Sequence, residues 1–128
     1  MQLLDGRAAK RLAQLCSMSV EHQLDAVLIR LHGEFDLTCE GPFREELART
    51  LEGETTTLVL DLRALTFIDS VGLRILVTLD KATSEDGLDF TVLCGEGHVR
   101  RVLRETGLDG VLPVVGPSGP VPAADSPV

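Results

Sequence analysis

A chain of 128 residues is long enough for one domain with a real core, and 44% hydrophobic with 25% charged residues is an ordinary globular composition. A net charge of -8 and only four aromatic residues, all phenylalanine, argue against a phosphate-tracking groove or a base-stacking platform, so no direct nucleic-acid partner is expected. No apolar run reaches the ~18 residues of a membrane span, and MQLLDGRAAKRLAQL lacks the layout of a signal peptide, which predicts a cytoplasmic protein without membrane insertion.

In chain order, LCSMSVE (Leu15 to Glu21) alternates in period two, and AVLIRLHG (Ala26 to Gly33) follows a short polar bend at His22 to Asp25, so the pair reads as an antiparallel hairpin. Phe43, Leu47 and Leu51 recur every four residues, with Ala48 beside them, and predict an amphipathic helix with Pro42 in its first turn and Thr38 or Gly41 as cap. TLVLDL (Thr57 to Leu62) is a nearly unbroken apolar run, as a strand covered on both faces requires, and belongs at the centre of the sheet. Arg63 to Ile68 then leads out of the sheet, and Asp69-Ser70 starts a helix. From Gly72 that helix carries Ile75, Leu76, Leu79 and Ala82 on one face and stops near Asp86-Gly87.

LDFTVLC (Leu88 to Cys94) is the next strand. Val99, Val102 and Leu103 form the buried stripe of a further helix that Gly107 ends, and VLPVV (Val111 to Val115) is an edge strand because of Pro113. The order β-β-α-β-α-β-α-β predicts an α/β fold, a mixed sheet of about five strands with packed helices and right-handed crossovers. Residues 1–14 are read as a leader segment, 15–115 as the domain, and 116–128, rich in Pro, Gly and small polar residues, as a disordered tail.

The most hydrophobic stretch of the chain, LVLDLRALTFIDSVGLRILV, holds Asp69 and Ser70 side by side at its middle. Either is a good N-cap, worth ~1 kcal/mol. One cap does not need two polar residues, however, and Val71-Gly72-Leu73 after them suggests a helix start that something approaches closely. Gly72, on the inward stripe, reads equally as a tight helix-to-sheet contact. Leu73 and Val77, one turn apart and off the core stripe, are either shoulders of the core or part of a binding surface.

FIDSVGL resembles the signature of the STAS domain, and GEFDL (Gly33 to Leu37) resembles the G-E-x-D-L turn after the second strand of that family. Over Leu15 to Val115 the chain is similar to single-domain bacterial anti-sigma factor antagonists. The resemblance implies a single STAS-like domain whose Ser70 is phosphorylated by a partner that is both serine kinase and anti-sigma factor; the unphosphorylated form binds that partner and releases a sigma factor. It points to Asp36 beside the serine, which Asp69 flanks directly; with Leu73 and Val77, read from their place off the core stripe, and with Gly72 and Arg74, these residues are the expected partner surface. Arg74 is a departure, since members often carry a second glycine there. STAS domains in stress-sensing scaffolds and in lipid- or anion-transport assemblies are the alternative.

Enzymatic readings fare worse. Ser70, Asp89 and His98 stand in Ser-Asp-His order, but a nucleophile elbow needs glycine where Ile68 stands. GEGHVRR (Gly95 to Arg101) has Arg100 where a dinucleotide fingerprint needs its third glycine. No cofactor and no metal are expected. His22, His32 and His98 read as solvated or locally satisfied, Arg100, Arg101 and Arg104 as the wet face of their helix, and Cys16, Cys39 and Cys94, far apart in sequence, as reduced, packed thiols.

Overall fold

The computed structural model describes residues 16–51 and 53–116. Strands β1 (Cys16–Gln23) and β2 (Ala26–Phe35) form the hairpin. A 3-10 turn (Leu37–Cys39) leads into α1 (Glu40–Thr50), and then come β3 (Thr57–Ile68), α2 (Ser70–Glu85), β4 (Asp89–Leu93), α3 (His98–Glu105), a second 3-10 turn (Leu108–Gly110) and β5 (Val114–Val115). The predicted order of elements is the observed one. The five strands lie side by side in sequence order, β1 antiparallel to β2 and the rest parallel, with β3 at the centre.

Right-handed crossovers between strands that always step to the same side put every helix on the same face. Accordingly, Phe43 of α1, Leu76 and Leu79 of α2, and Val99 and Leu103 of α3 share one core with Val27, Ile29, Leu31, Leu58, Leu60, Leu62 and Val92. The opposite face carries a second cluster, Leu28, Val59 and Leu93 with Val115. Thr57 to Leu62 is buried without interruption, as a central strand must be. On the second face of β3 the side chain of Asp61 is 1% exposed. It accepts from Arg30 Nε at 3.1 Å, from Arg63 Nε and Nη2 at 2.9 Å each, and from the Arg63 backbone N–H at 3.0 Å. Burial opposes its ionisation, but these donors outweigh it and hold the carboxyl down at about 2.

Several expectations need correcting. Arg63 to Ile68 does not leave the sheet: β3 continues to Ile68, paired with β2 through two register shifts that bend the strands together. Neither Thr38 nor Gly41 stands at the cap of the first helix: Cys39 does, without a side-chain bond, and Asp36 caps the 3-10 turn before it. On α2 it is Thr83, not Ala82, that is buried, and its hydroxyl satisfies itself on the carbonyls of Leu79 and Asp80 at 2.9 and 3.0 Å. Arg100 is not on the wet face. It is half-buried, with Nη1 donating to the Cys94 carbonyl at 3.4 Å. Cys94 is a buried free thiol, pushed up by burial, which the nearby Arg100 only partly offsets, whereas Cys39 is disulfide-bonded. Separation along the chain says nothing about separation after folding, so the reading of three reduced thiols fails at Cys39. The leader and the tail lie outside the described residues, apart from Gly116.

Candidate functional site

β2 and β3 end in register, Phe35 opposite Ile68, so the residues that follow them, Asp36 and Asp69, leave the sheet together. The Asp69 N–H donates back to the Phe35 carbonyl at 3.3 Å. Both aspartates are extended and half-buried, and both perform the same local task. Asp36 accepts from the Thr38 N–H at 3.0 Å and from the Thr38 hydroxyl at 2.6 Å; Asp69 accepts from the Gly72 N–H at 3.0 Å. Each carboxylate therefore occupies orphan donors of the turn that it opens, with a negative charge at the positive end of the helix.

The division of labour at Asp69-Ser70 follows. Asp69 is the cap, and Ser70, the first residue of α2, is exposed with no hydrogen bond from its hydroxyl among the described residues. Ser70 thus has the accessibility and the unclaimed oxygen that a transferase needs. The carboxylate of Asp36 is turned to Thr38 rather than to Ser70.

Gly72 is buried against the end of β2. A Cβ there would meet the Phe35 carbonyl oxygen at 2.6 Å and Ile68 Cγ1 at 2.7 Å. The missing side chain lets the first turn of α2 lie on the sheet and so fixes where Ser70 stands. Leu73 is half-buried against the core, while Val77 is 40% exposed, so of the two only Val77 presents much of its side chain outward. Arg74 is exposed, and its Nη2 donates to both carboxylate oxygens of Glu40 at 3.2 and 3.3 Å; Arg44 Nη2 reaches the same Glu40 at 3.0 Å. These charges rim a groove of about 260 Å³ between α1 and α2, floored by Phe43, Leu47, Ile75 and Leu79.

Two features escaped the sequence reading. Phe67, 39% exposed at the end of β3, stacks on His98 at the start of α3, ring centroids 5.5 Å apart and planes within 5°. Buried Asp61 was missed as well, although a carboxylate inside an apolar strand, two residues before Arg63, was its signal. The Ser-Asp-His order has no counterpart in space, because Asp89 pairs with Thr57 at the amino end of β3 and Ser70 follows its carboxyl end. Among the described residues, no three His, Cys, Asp or Glu side chains are grouped to hold a metal, and no helix is long and apolar enough to cross a membrane.

Against known proteins, the STAS domain model matches residues 17–118. The anti-sigma-F factor antagonist RsfB of Mycobacterium tuberculosis is 31% identical over 96 residues, covering 73% of this chain and 75% of that protein. The crystal structure of an anti-sigma factor antagonist from Mycobacterium paratuberculosis superposes with a TM-score of 0.68 at 27% identity, over 85% of this chain and 90% of that one. SpoIIAA in its unphosphorylated form shares the fold, with a TM-score of 0.69 at 22% identity over 84% and 92% of the two chains.

Proposed function

The chain belongs to the STAS-domain family, and from that premise we propose that it is an anti-sigma factor antagonist switched by phosphorylation of Ser70. The observation that carries this reading is the exposed hydroxyl of Ser70, without a hydrogen bond among the described residues, beside a cap already supplied by Asp69. The names of the relatives supply the partner class, an anti-sigma factor, and the place of action is the cytoplasm, where sigma factors work.

In the unphosphorylated state the surface around Ser70, with Asp36, Asp69, Arg74 and Val77 exposed or half-exposed and Leu73 at its shoulder, binds the anti-sigma factor and frees the sigma factor. That partner also acts as the kinase. The serine oxygen attacks the γ-phosphorus of Mg-ATP held by the kinase, the bond to the leaving ADP breaks, and the hydroxyl proton passes to a base on the kinase. This chain contributes the acceptor and no catalytic group of its own.

A phosphate at this position leaves the fold intact, since first-turn N–H groups and the helix dipole favour an anion there. It adds about −1.5 to −2 charges to the surface, and each like charge that a partner brings to ~6 Å at an effective dielectric of ~20 is repelled by about 3 kcal/mol. A third of that, about 1 kcal/mol, already weakens an interface roughly fivefold, and desolvating a dianion against a partner adds to it.

Incubation with a candidate anti-sigma kinase and Mg-ATP, followed by mass spectrometry, tests the assignment: modification falls on Ser70 and is lost in Ser70→Ala. Calorimetry should show Ser70→Ala still binding the kinase and Ser70→Asp binding it more weakly. Modification confined to Thr78, Ser84 or Ser118 would sink the assignment.

A further inference from the structure

Ser70 and Arg74 stand four residues apart on α2, so their side chains are neighbours on one helix face, with Cβ atoms about 5–6 Å apart. Arg74 is 61% exposed and shares its partner, because the single carboxylate of Glu40 also takes Arg44 at 3.0 Å. We propose that phosphorylation of Ser70 draws Arg74 away from Glu40 and onto the phosphate, making Arg74 an internal counter-ion that reads the switch within the chain. The proposal rests on Ser70 being the switch and adds the residue through which the rest of the surface feels it.

Three terms favour the exchange. The phosphate brings about −1.5 to −2 charges against the single charge of Glu40, whose Oε2 Arg74 already shares with Arg44. An anion placed four residues before a cation is the better orientation of such a pair on a helix. The guanidinium fork can also take two phosphate oxygens at once, whereas Arg74 meets Glu40 through Nη2 alone.

Glu40 is the first residue of α1, so its bond to Arg74 ties α1 to α2 at the mouth of the groove between them. When Arg74 leaves, Glu40 keeps Arg44, its neighbour one turn along α1, and the tie between the helices is cut. Phosphorylation therefore alters two places that a partner meets: the serine itself, where Arg74 softens the new charge, and the α1–α2 rim, where a cation disappears.

The test uses the full chain with phosphoserine incorporated at position 70 during synthesis, so no kinase is needed. A phosphorus NMR titration then reads the second ionisation of the phosphate, which Arg74 and the first-turn N–H groups lower and Asp69 raises. Arg74→Gln should raise the midpoint by about half a pH unit or more, the low end for close opposite charges because the site is exposed. Glu40→Gln removes the competitor and should leave the midpoint at or below that of the parent. An unchanged midpoint in Arg74→Gln overturns the proposal, and so does a rise in Glu40→Gln equal to that in Arg74→Gln, which would mean that helix geometry rather than the Arg74 charge sets the value. A kinase that leaves Ser70 unmodified would overturn the switch without touching this titration, so the two failures are told apart.

Discussion

Replacing Gly72 by alanine tests how firmly the sheet dictates the position of Ser70. The added methyl would sit 2.6 Å from the Phe35 carbonyl oxygen, 2.7 Å from Ile68 Cγ1 and 3.1 Å from Phe35 Cδ2. The worst of these contacts is with backbone that also accepts the Asp69 N–H at 3.3 Å, so no side-chain rotation relieves it. The first turn of α2 must withdraw from the sheet by roughly 0.7 to 1 Å to restore ordinary contact distances of about 3.5 Å. Overpacking of this kind costs about 1–3 kcal/mol, and the better helix propensity of alanine returns at most ~1 kcal/mol. With the full propensity gain, a mid-range cost leaves a net loss of about 1 kcal/mol, which lowers the melting temperature of a domain this size by roughly 4–8 °C. Thermal unfolding followed by circular dichroism measures it, and the withdrawal of Ser70 should slow phosphorylation in the same sample. A melting temperature equal to or above that of the parent would refute the close-approach argument.

Asp61→Asn removes a carboxylate whose ionisation at about 2 lies below the ordinary 3.8. A depressed value contributes stability above the unfolded value that is lost as pH falls through the folded one, here of order 2 kcal/mol between about pH 4 and pH 2. The variant should be less stable at neutral pH and should lose most of that acid limb in denaturant titrations; an unchanged acid limb would assign it to other carboxylates. Asp36→Asn keeps an oxygen for the Thr38 N–H, so its melting temperature should stay within a degree or two of the parent. Loss of the charge should meanwhile change phosphorylation rate or partner affinity by about tenfold, ~1.4 kcal/mol; an unstable variant with normal kinetics would make Asp36 a cap alone. Leu24, fully exposed at the tip of the β1–β2 hairpin with φ 55, occupies a conformation that asparagine adopts far more readily. Leu24→Asn should therefore stabilise the domain by about 0.5–1 kcal/mol, and a fall in melting temperature would count against the strain.

Much of this arrangement is legible in the sequence because it rests on period and punctuation. The uninterrupted run Thr57 to Leu62 marks the central strand, and Asp86-Gly87 and Gly107 mark the helix ends, where the structure places positive φ at both glycines. What eluded the reading depends on contacts between distant residues. Arg63 to Ile68 reads as an exit before the polar pair Asp69-Ser70, but the end of β2 keeps it in the sheet even though four of its six residues are exposed. Asp69 and Ser70 are equivalent as caps on paper, and only the bond to the Gly72 N–H separates the cap from the free hydroxyl. Thr83 is polar by type and hides by bonding its own helix, just as Asp61 hides beneath arginines from two positions along the sheet.

The succession of strands across the sheet in their order along the chain also bears on how the molecule is assembled. Each strand finds its partner in the strand completed just before it, first through a two-residue hairpin and then through crossovers that carry one α-helix each. Such short-range closures keep the entropy of loop formation low and let the sheet grow from the hairpin outward, which favours rapid folding for a mostly parallel topology. During synthesis, every new strand emerges beside an edge already waiting for it, and β5, only two residues long, closes the far edge of the sheet last.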